Sequence, residues 1–298
     1  MFNKVLVGVD GSQGGRDAVA LARQLTAASG KLTLAHVYPY HGDPPVRGYD
    51  DDEAAQIIRA RELLHGASEE LEVDAQLRWT SAKSPGRGLH ALAEIVSADL
   101  LVVGSTQQGP LGRVLVGDDT RAALHGTPCA VAIAPSGYAN RNSSIRTIGV
   151  GYGGSADSER ALIAGRALAA ELGVKLAALE VVVFPSYMLS GPLAGDAIMV
   201  AHLVDQARDR VASLGDLEPH ATAGPAADEL ALWSGSLDLL VVGSRGYGPI
   251  GRLVHGSTSR ELTLRAQCPL LVLTRTRRGE AEPPEQVQDF ELAAATRH

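Results

Sequence analysis

An internal repeat constrains the fold of this 298-residue chain more than any other feature of its sequence. The segment Asp99–Ser105 reads Asp-Leu-Leu-Val-Val-Gly-Ser and recurs unchanged as Asp238–Ser244, an offset of 139 residues. At that offset, 13 of the 23 positions from 99 to 121 carry the same residue in both segments. Near the start of each copy, Val7–Ser12 corresponds to Val150–Ser155 at an offset of 143 residues. The chain therefore contains two copies of one unit, and each copy is large enough to bury its own core.

Each copy carries the same order of predicted strands and helices. A short β-branched run is followed by a Gly/Ser turn and then by alanine and leucine at helical spacing. We expect Gly30 and Gly173 to end the first helix of each copy. The Leu-Leu-Val-Val run shows no polar alternation, which is typical of a strand that is buried on both faces. The predicted first helices are 16–28 and 158–172, the second helices 51–72 and 196–214, and the last strands 130–134 and 270–273. Five strands that alternate with helices predict an α/β fold, with one five-stranded, parallel, doubly wound domain in each copy.

The boundaries of the two copies follow from shifts in composition. We assign a first domain to 1–136, a second domain to 145–275 and a C-terminal tail to 276–298. The connection around 135–144 is rich in Ser, Asn and Gly. The tail is rich in Arg, Glu and Pro without apolar periodicity before Phe290, so we expect it to be mobile with at most a short terminal helix.

Composition excludes several classes of protein. Hydrophobic residues make up 45% of the chain and charged residues 20%, which excludes intrinsic disorder. A net charge of −7 with only 12 aromatic residues argues against nucleic-acid binding. No apolar run reaches the roughly 18 to 20 residues that cross a bilayer, and the N-terminus lacks signal-peptide flanks, so we expect a cytoplasmic protein without membrane contact. We expect Cys129 and Cys268 to be buried reduced thiols, and we expect no metal site.

The loop after the fourth strand of copy two has a spacing that suits phosphate binding. It reads Gly243-Ser-Arg-Gly246, then nine residues, then Gly256-Ser257-Thr258 at the start of a predicted helix. Open α/β sheets bind ligands at the carboxyl ends of their strands, where this loop is expected to lie. Glycine lets the backbone approach a phosphate closely, and a helix N-terminus offers unpaired amides and a positive dipole end.

These motifs resemble those of the universal stress protein family, and the resemblance covers both copies. It rests on Val7–Ser12 in copy one, on the Val-Val-Gly-Ser of each fourth strand, on the glycine loop of copy two and on Gln267–Pro269 before the last strand. The resemblance implies an adenine nucleotide alpha hydrolase-like fold with the two domains paired about a pseudo-twofold axis. It also implies a stress-response role and an adenine-nucleotide ligand, ATP, ADP or AMP, with or without Mg²⁺, and no dedicated catalysis. The candidate nucleotide-binding residues are Gly243, Ser244, Arg245, Gly246, Gly256, Ser257 and Thr258, with Gly153 and Asp10 at the nucleoside end.

The two copies depart from the family pattern in opposite ways. Copy one keeps Asp10, but its loop carries Gln107 and Asp118 where copy two carries Gly and Ser. A carboxylate beside a phosphate oxygen costs about 4 kcal/mol per unit charge at roughly 4 Å and an effective dielectric of about 20. Copy two keeps the loop and has Gly153 in place of the aspartate, a lost polar contact that costs about 0.5 to 1.5 kcal/mol. We therefore expect copy two to be the nucleotide site.

Structural explanations of the same residues stay open. Asp10 is either a ligand contact or a turn or helix-cap residue. Asp118 either caps the following helix or holds a divalent ion together with Asp119. His36 and His255 lie near the expected clefts, and we interpret both as structural residues.

These sequence features are compatible with three functions. The leading one is a nucleotide-binding regulator whose glycine loop changes shape or order when the nucleotide binds. The second is a slow ATP hydrolase, which needs a positioned base or metal clamp in addition to the phosphate site. The third is a structural or interaction module in which both sites are degenerate. We also expect the copies to pair within one chain through strands 130–134 and 270–273, the chain to form a homodimer, and an unidentified regulatory protein to bind it.

Overall fold

The computed structural model describes residues 1–39, 50–105, 114, 127–141, 144–184, 197–244 and 257–273. In copy one the elements are β1 (Phe2–Gly8), α1 (Gln13–Leu25), β2 (Thr26–Pro39), α2 (Asp50–Glu70), β3 (Gln76–Ala82), α3 (Pro85–Ile95), β4 (Leu100–Gly104) and β5 (Ala130–Ala134). In copy two they are β6 (Thr147–Tyr152), α4 (Ala156–Leu172), β7 (Lys175–Val182), α5 (Ala197–Ala212), β8 (Glu218–Ala223), α6 (Ala226–Trp233), a 3₁₀ turn (Ser234–Ser236), β9 (Leu239–Gly243), α7 (Ser257–Arg265) and β10 (Leu270–Leu273).

The ten strands of the described residues form one sheet in the order β3-β2-β1-β4-β5-β10-β9-β6-β7-β8. Within each copy every pair of neighbouring strands is parallel. The order within a copy turns back at its first strand, which is the doubly wound arrangement predicted from the sequence. The expected fold class is therefore confirmed in both copies.

The copies join through β5 and β10, which pair antiparallel at the centre of the sheet. Ala132 lies opposite Leu271, its counterpart at the 139-residue offset, and Ile133 lies opposite Leu270. Because equivalent residues face each other, a pseudo-twofold axis passes between Ala132 and Leu271. The predicted pairing through the last strands is confirmed.

Side chains of the central strands are buried on both faces of the sheet. Leu100 and Val102 of β4 pack into one apolar cluster with residues of α1, α2, α4 and α5. Leu101 and Val103, one residue further along, pack into a second cluster with residues of α3, α6 and α7. Burying a leucine side chain fully contributes about 1.5 to 3 kcal/mol, so the apolar run is well suited to this central position. Each cluster contains residues of both copies.

The aspartate that begins the repeated segment anchors the start of the neighbouring strand. Asp99 accepts the backbone N–H groups of Asn3 and Lys4 at 2.8 and 3.0 Å. Asp238 accepts those of Arg146 and Thr147 at 3.0 and 2.9 Å. This shared role explains why the residue is the same in both copies.

One of the two predicted helix ends is wrong. Gly173 has φ 67° and forms the left-handed C-cap of α4, as expected. Helix α1 instead ends at Leu25, before Gly30, because Thr26 already pairs with Phe2 of β1. A Cβ at Gly30 would lie 2.9 Å from the carbonyl oxygens of Ala27 and Phe2, so backbone crowding accounts for this glycine.

The connection between the copies packs against α1. Buried Asp17 accepts the backbone N–H groups of Gly137 and Ala139, both at 2.8 Å. About two helical turns further along α1, Gln24 accepts the N–H of Ile145 at 3.0 Å and donates to the hydroxyl of Tyr138 at 2.9 Å. Helix α1 therefore holds the described part of the connection against the core. The predicted tail at 276–298 lies outside the described residues.

Candidate functional site

The candidate site of copy two lies at the carboxyl ends of β6 and β9. These neighbouring strands continue in opposite directions across the sheet, β6 towards β7 and β9 towards β10. A crevice at such a switch point is the usual ligand position in a doubly wound sheet. Helix α7 connects the parallel strands β9 and β10, so its N-terminus with Thr258 lies at the same edge as Gly153 and Gly243.

Gly243 is required by packing at the end of β9. A Cβ at this position would lie 2.3 Å from the carbonyl oxygen of Asp157 in the first turn of α4. The equivalent Gly104 of copy one would bring a Cβ to 2.0 Å from the carbonyl oxygen of Gly14. Both copies therefore need a glycine here so that the first turn of a helix can reach the strand end. This packing role explains Gly243 without a ligand.

The serine that follows each of these glycines ties two strands together. Ser244 is buried, and its backbone N–H donates to the carbonyl oxygen of Leu273 at 3.0 Å. Ser105 makes the same backbone bond to Ala134 at 2.9 Å, and its hydroxyl donates to that oxygen at 2.8 Å. The structure thus gives the predicted binding residue Ser244 a structural role.

Asp10 shapes the loop after β1 in copy one. Its Oδ1 accepts the backbone N–H of Ser12 at 3.0 Å, and the side chain is exposed. Ser12 is the N-cap of α1 and accepts the N–H of Gly15 at 3.4 Å. Of the two structural explanations, Asp10 is thus a turn residue and not the helix cap. His36 supports the same loop, because its Nδ1 lies 2.8 Å from the carbonyl oxygen of Val9.

In copy two, the backbone N–H of Ser155, which is equivalent to that of Ser12, has a different hydrogen-bond acceptor. Gly153 stands at the position of Asp10, and the N–H of Ser155 donates instead to the hydroxyl of Ser158 at 2.9 Å. Ser155 and Ser158 form a reciprocal capping box at the start of α4. Among the described residues, no heavy atom lies within 4 Å of the position that a Cβ at Gly153 would occupy.

Two positions differ together between the copies. Copy one has Asp10 with Gly15, and copy two has Gly153 with Ser158. Ser158 corresponds to Gly15 of copy one, where a Cβ would lie only 3.1 Å from Oδ1 of Asp10. Asp10 thus favours glycine five residues later, at the start of α1, whereas Gly153 leaves room for Ser158 at the start of α4. Sequence reasoning missed this exchange, although the two differences stand at matching positions of the repeat.

Helix α4 carries its own negative charge near its N-terminus. Asp157 and Glu159 lie in its first turn, where Asp157 forms an ion pair with Arg160. Tyr152 donates its hydroxyl to Oε1 of Glu159 at 2.5 Å, and this bond together with partial burial raises the pKa of Tyr152 to about 12. The first turn of α7 contains no acidic residue, so no carboxylate of that turn offsets the positive end of its dipole.

Several predicted residues fall outside the described part of the chain. Among the candidate phosphate residues, Thr258 is partly buried in the first turn of α7, and Ser257 begins that helix. Arg245, Gly246 and Gly256 of copy two lie outside the described residues, as do Gln107, Asp118, Asp119 and His255.

Both cysteines are buried free thiols, as predicted. Burial raises the pKa of Cys129 to about 11 and raises the pKa of Cys268 still further. The described residues contain no group of three or more His, Cys, Asp and Glu side chains that could hold a metal ion. None of the described helices combines the length and apolar composition needed to cross a membrane.

A small cavity lies between the connection and copy two. It has a volume of about 80 Å³ and is lined by Tyr138, Asp238 and Cys268 among other residues. Pockets for drug-sized ligands measure about 300 to 1,000 Å³, so this cavity is too small for a nucleotide.

Comparison with known proteins gives one consistent family. The model of the Universal stress protein family matches residues 1–135 and 144–274. Universal stress protein Rv2005c of Mycobacterium tuberculosis is 28% identical over 291 residues, which cover 90% of this chain and 96% of that protein. The crystal structure of a universal stress protein from Archaeoglobus fulgidus covers 92% of this chain and 98% of its own, with 18% identity and a TM-score of 0.65. A universal stress protein crystallised in complex with cAMP is 30% identical, with a TM-score of 0.34, and covers 45% of this chain and 98% of its own.

Proposed function

Because this chain belongs to the universal stress protein family, we propose that copy two binds an adenine nucleotide and that the bound nucleotide regulates the protein in the stress response. The phosphates lie at the start of α7, against Gly246, Gly256, Ser257 and Thr258. The nucleoside lies towards Gly153.

The start of α7 is the observation that carries this proposal. Its first turn holds hydroxyl side chains and no acidic residue, and it follows the glycine loop of copy two directly in sequence. Unpaired backbone amides and the positive dipole end favour an anion at such a helix start. The N-terminus of helix α4 is less favourable for binding an anion at this edge, because the carboxylates of Asp157 and Glu159 already lie in its first turn.

The absence of a side chain at Gly153 supports the placement of the nucleoside. Gly153 is exposed, and no heavy atom of the described residues lies within 4 Å of its Cβ position, which favours a sugar or base at the end of β6. The aspartate of copy one is absent here, so the nucleoside makes one polar contact fewer. We therefore expect affinity in the micromolar range or weaker, following the cost of about 0.5 to 1.5 kcal/mol for that contact.

Regulation would act through the loop that carries the glycines. Bound nucleotide would change the shape or order of 245–256, and with it the surface offered to a protein partner. Catalysis would require a positioned base or metal clamp in addition. Titrations should therefore be paired with an ATP turnover assay, in the presence and absence of Mg²⁺.

The first experiment is to denature the purified protein and identify what it releases, followed by calorimetric titration of the ligand-free protein with ATP, ADP, AMP and cAMP. Release of an adenine nucleotide, or saturable binding near one per chain, supports the proposal. Release of flavin, or no binding of any of these nucleotides, would exclude it.

Replacement of Gly246 by Val then localises the site. A β-branched side chain crowds the loop, so we expect nucleotide binding by copy two to be lost. The matched control is Gln107→Val at the equivalent position of copy one, which should leave the affinity unchanged. Unchanged affinity in Gly246→Val would place the site elsewhere in the chain.

The acidic loop of copy one offers a complementary experiment. If Gln107 and Asp118 prevent phosphate binding there, Gln107→Gly combined with Asp118→Ser should raise the nucleotide stoichiometry from about one per chain towards two. Two nucleotides bound by the unaltered protein would show that these residues do not exclude phosphate.

A further inference from the structure

Val114 of copy one reaches across the domain interface to copy two. Its backbone N–H donates to the carbonyl oxygen of Ala266 at 2.7 Å. Both residues have no solvent exposure, and Val114 packs in the second apolar cluster together with Leu262 of α7. In the sequence, Val114 lies between Gly104 and Gly117, in the segment of copy one that corresponds to the phosphate loop of copy two.

Ala266 directly follows the last residue of α7. The last carbonyl groups of a helix have no partner within the helix, so they need partners from elsewhere. Copy two itself supplies the partners of the next residue, Gln267. The backbone N–H of Gln267 donates to Oγ of Ser234 at 2.9 Å, and its Nε2 donates to the carbonyl oxygen of Ala231 at 3.1 Å. Copy one supplies the partner of the Ala266 carbonyl itself.

We propose that copy one positions the nucleotide-binding helix of copy two through the contact between Val114 and Ala266. This inference rests on the proposed function, because it assigns a positioning residue to the same site. A helix of nine residues is about 13 Å long and moves nearly as a rigid body. A shift at Ala266 therefore displaces the first turn of α7, where the phosphates are proposed to bind.

The contact also gives the loop of copy one a function that does not depend on binding phosphate. The acidic residues in that loop disfavour a nucleotide, yet the loop still contributes a buried donor to the other copy. Copy one thus supports the site of copy two without needing a ligand of its own.

Two substitutions separate the hydrogen bond from side-chain packing. Val114→Pro removes the N–H donor, whereas Val114→Ala keeps the donor and shortens the side chain. We expect Val114→Pro to weaken nucleotide binding by copy two by roughly twofold to tenfold, with the upper value reached if the whole effect of losing one neutral hydrogen bond is transmitted to the site. Val114→Ala should lower the melting temperature with little change in affinity.

Leu64→Ala is the control for general destabilisation. Leu64 is buried in the first apolar cluster, on the opposite face of the sheet from α7. This variant should lose stability and keep its nucleotide affinity. Folded Val114→Pro protein that binds nucleotide as tightly as the unaltered chain would overturn the proposal.

Hydrogen exchange of the unaltered protein provides a test that needs no variant. Nucleotide bound at the start of α7 should slow exchange of the Val114 amide, measured by NMR, because it stabilises the docked helix. If this amide exchanges at the same rate with and without saturating nucleotide, the coupling is refuted. This result is decisive even if the Val114→Pro variant does not fold. A protein that binds no adenine nucleotide in the titrations would refute the proposed function instead.

Discussion

Restoring the aspartate of copy one in copy two should tighten nucleotide binding only if a second residue changes with it. Gly153→Asp places a carboxylate at a position where a Cβ meets no heavy atom of the described residues within 4 Å. In copy one, however, the equivalent aspartate accepts the backbone N–H two residues later, and in copy two that N–H of Ser155 is already bonded to Ser158. The required second change is Ser158→Gly, which recreates the pair found in copy one.

The magnitudes follow from the individual contacts. One regained polar contact to the nucleoside contributes about 0.5 to 1.5 kcal/mol, or roughly a twofold to tenfold lower Kd. With Ser158 in place the gain should be much smaller, because a Cβ at the equivalent Gly15 lies only 3.1 Å from the aspartate oxygen. Ser158→Gly alone should cost about 1 to 3 kcal/mol of unfolding free energy, from the lost cap and the glycine, without tightening binding.

Isothermal titration calorimetry of the four proteins in this double-mutant cycle measures the coupling directly. We expect the double variant to bind more tightly than the sum of the two single effects allows. Additive effects, or a double variant that binds no more tightly than the unaltered protein, would refute the idea that the two positions act as a pair. Denaturant unfolding of each variant verifies that all four proteins are folded under the titration conditions.

Three further predictions concern stability. Gly243→Ala should cost about 1 to 3 kcal/mol or more in urea unfolding, because the new Cβ meets the Asp157 carbonyl oxygen at 2.3 Å, and a variant as stable as the unaltered chain would contradict this packing role. Asp17→Ala should cost about 2 to 5 kcal/mol in the same assay, because it leaves two backbone N–H groups of the interdomain connection unpaired, whereas Asp17→Asn should cost less because it keeps one acceptor oxygen. Burial raises the pKa of Cys129 from 9.0 to about 11. The folded state therefore holds this thiol proton more tightly than the unfolded state, and the unfolding free energy is unaffected below about pH 9 and falls between about pH 9 and 11. The loss amounts to about 3 kcal/mol, and Cys129→Ala should flatten the pH dependence of the unfolding free energy in this range.

The repeat made most of the architecture predictable. The strands at Ala130–Ala134 and Leu270–Leu273 have the predicted bounds, because each is a short apolar run that begins directly after a buried cysteine or proline. The end of α1 was not predictable from local signals, since the pairing of Thr26 with Phe2 is a contact between residues distant in sequence. Tertiary pairing overrides helix propensity in such cases.

The sequence predicted a loop at the carboxyl end of the fourth strand, where Gly243 ends β9, but it did not identify the role of each described residue. Gly243 fits a phosphate loop and a tight packing contact equally well in sequence, because both require the absence of a Cβ. The distance to the Asp157 carbonyl oxygen is what identifies the packing contact. The role of Val114 leaves no sequence signal either, since its backbone N–H makes the contact and any residue other than proline would supply it.

The antiparallel junction of β5 and β10 has a consequence for how such a protein evolves. When two separate identical chains form this junction, dilution separates them, and every substitution appears on both sides of the axis. Here both strands belong to one polypeptide, so the effective concentration of one for the other is of millimolar order and does not depend on the amount of protein. Ala132 opposite Leu271 already shows different residues at the axis. The two halves of one polypeptide can therefore differ at equivalent positions, as Asp10 and Gly153 or Asp118 and Ser257 do, without a matching change on the other side of the axis.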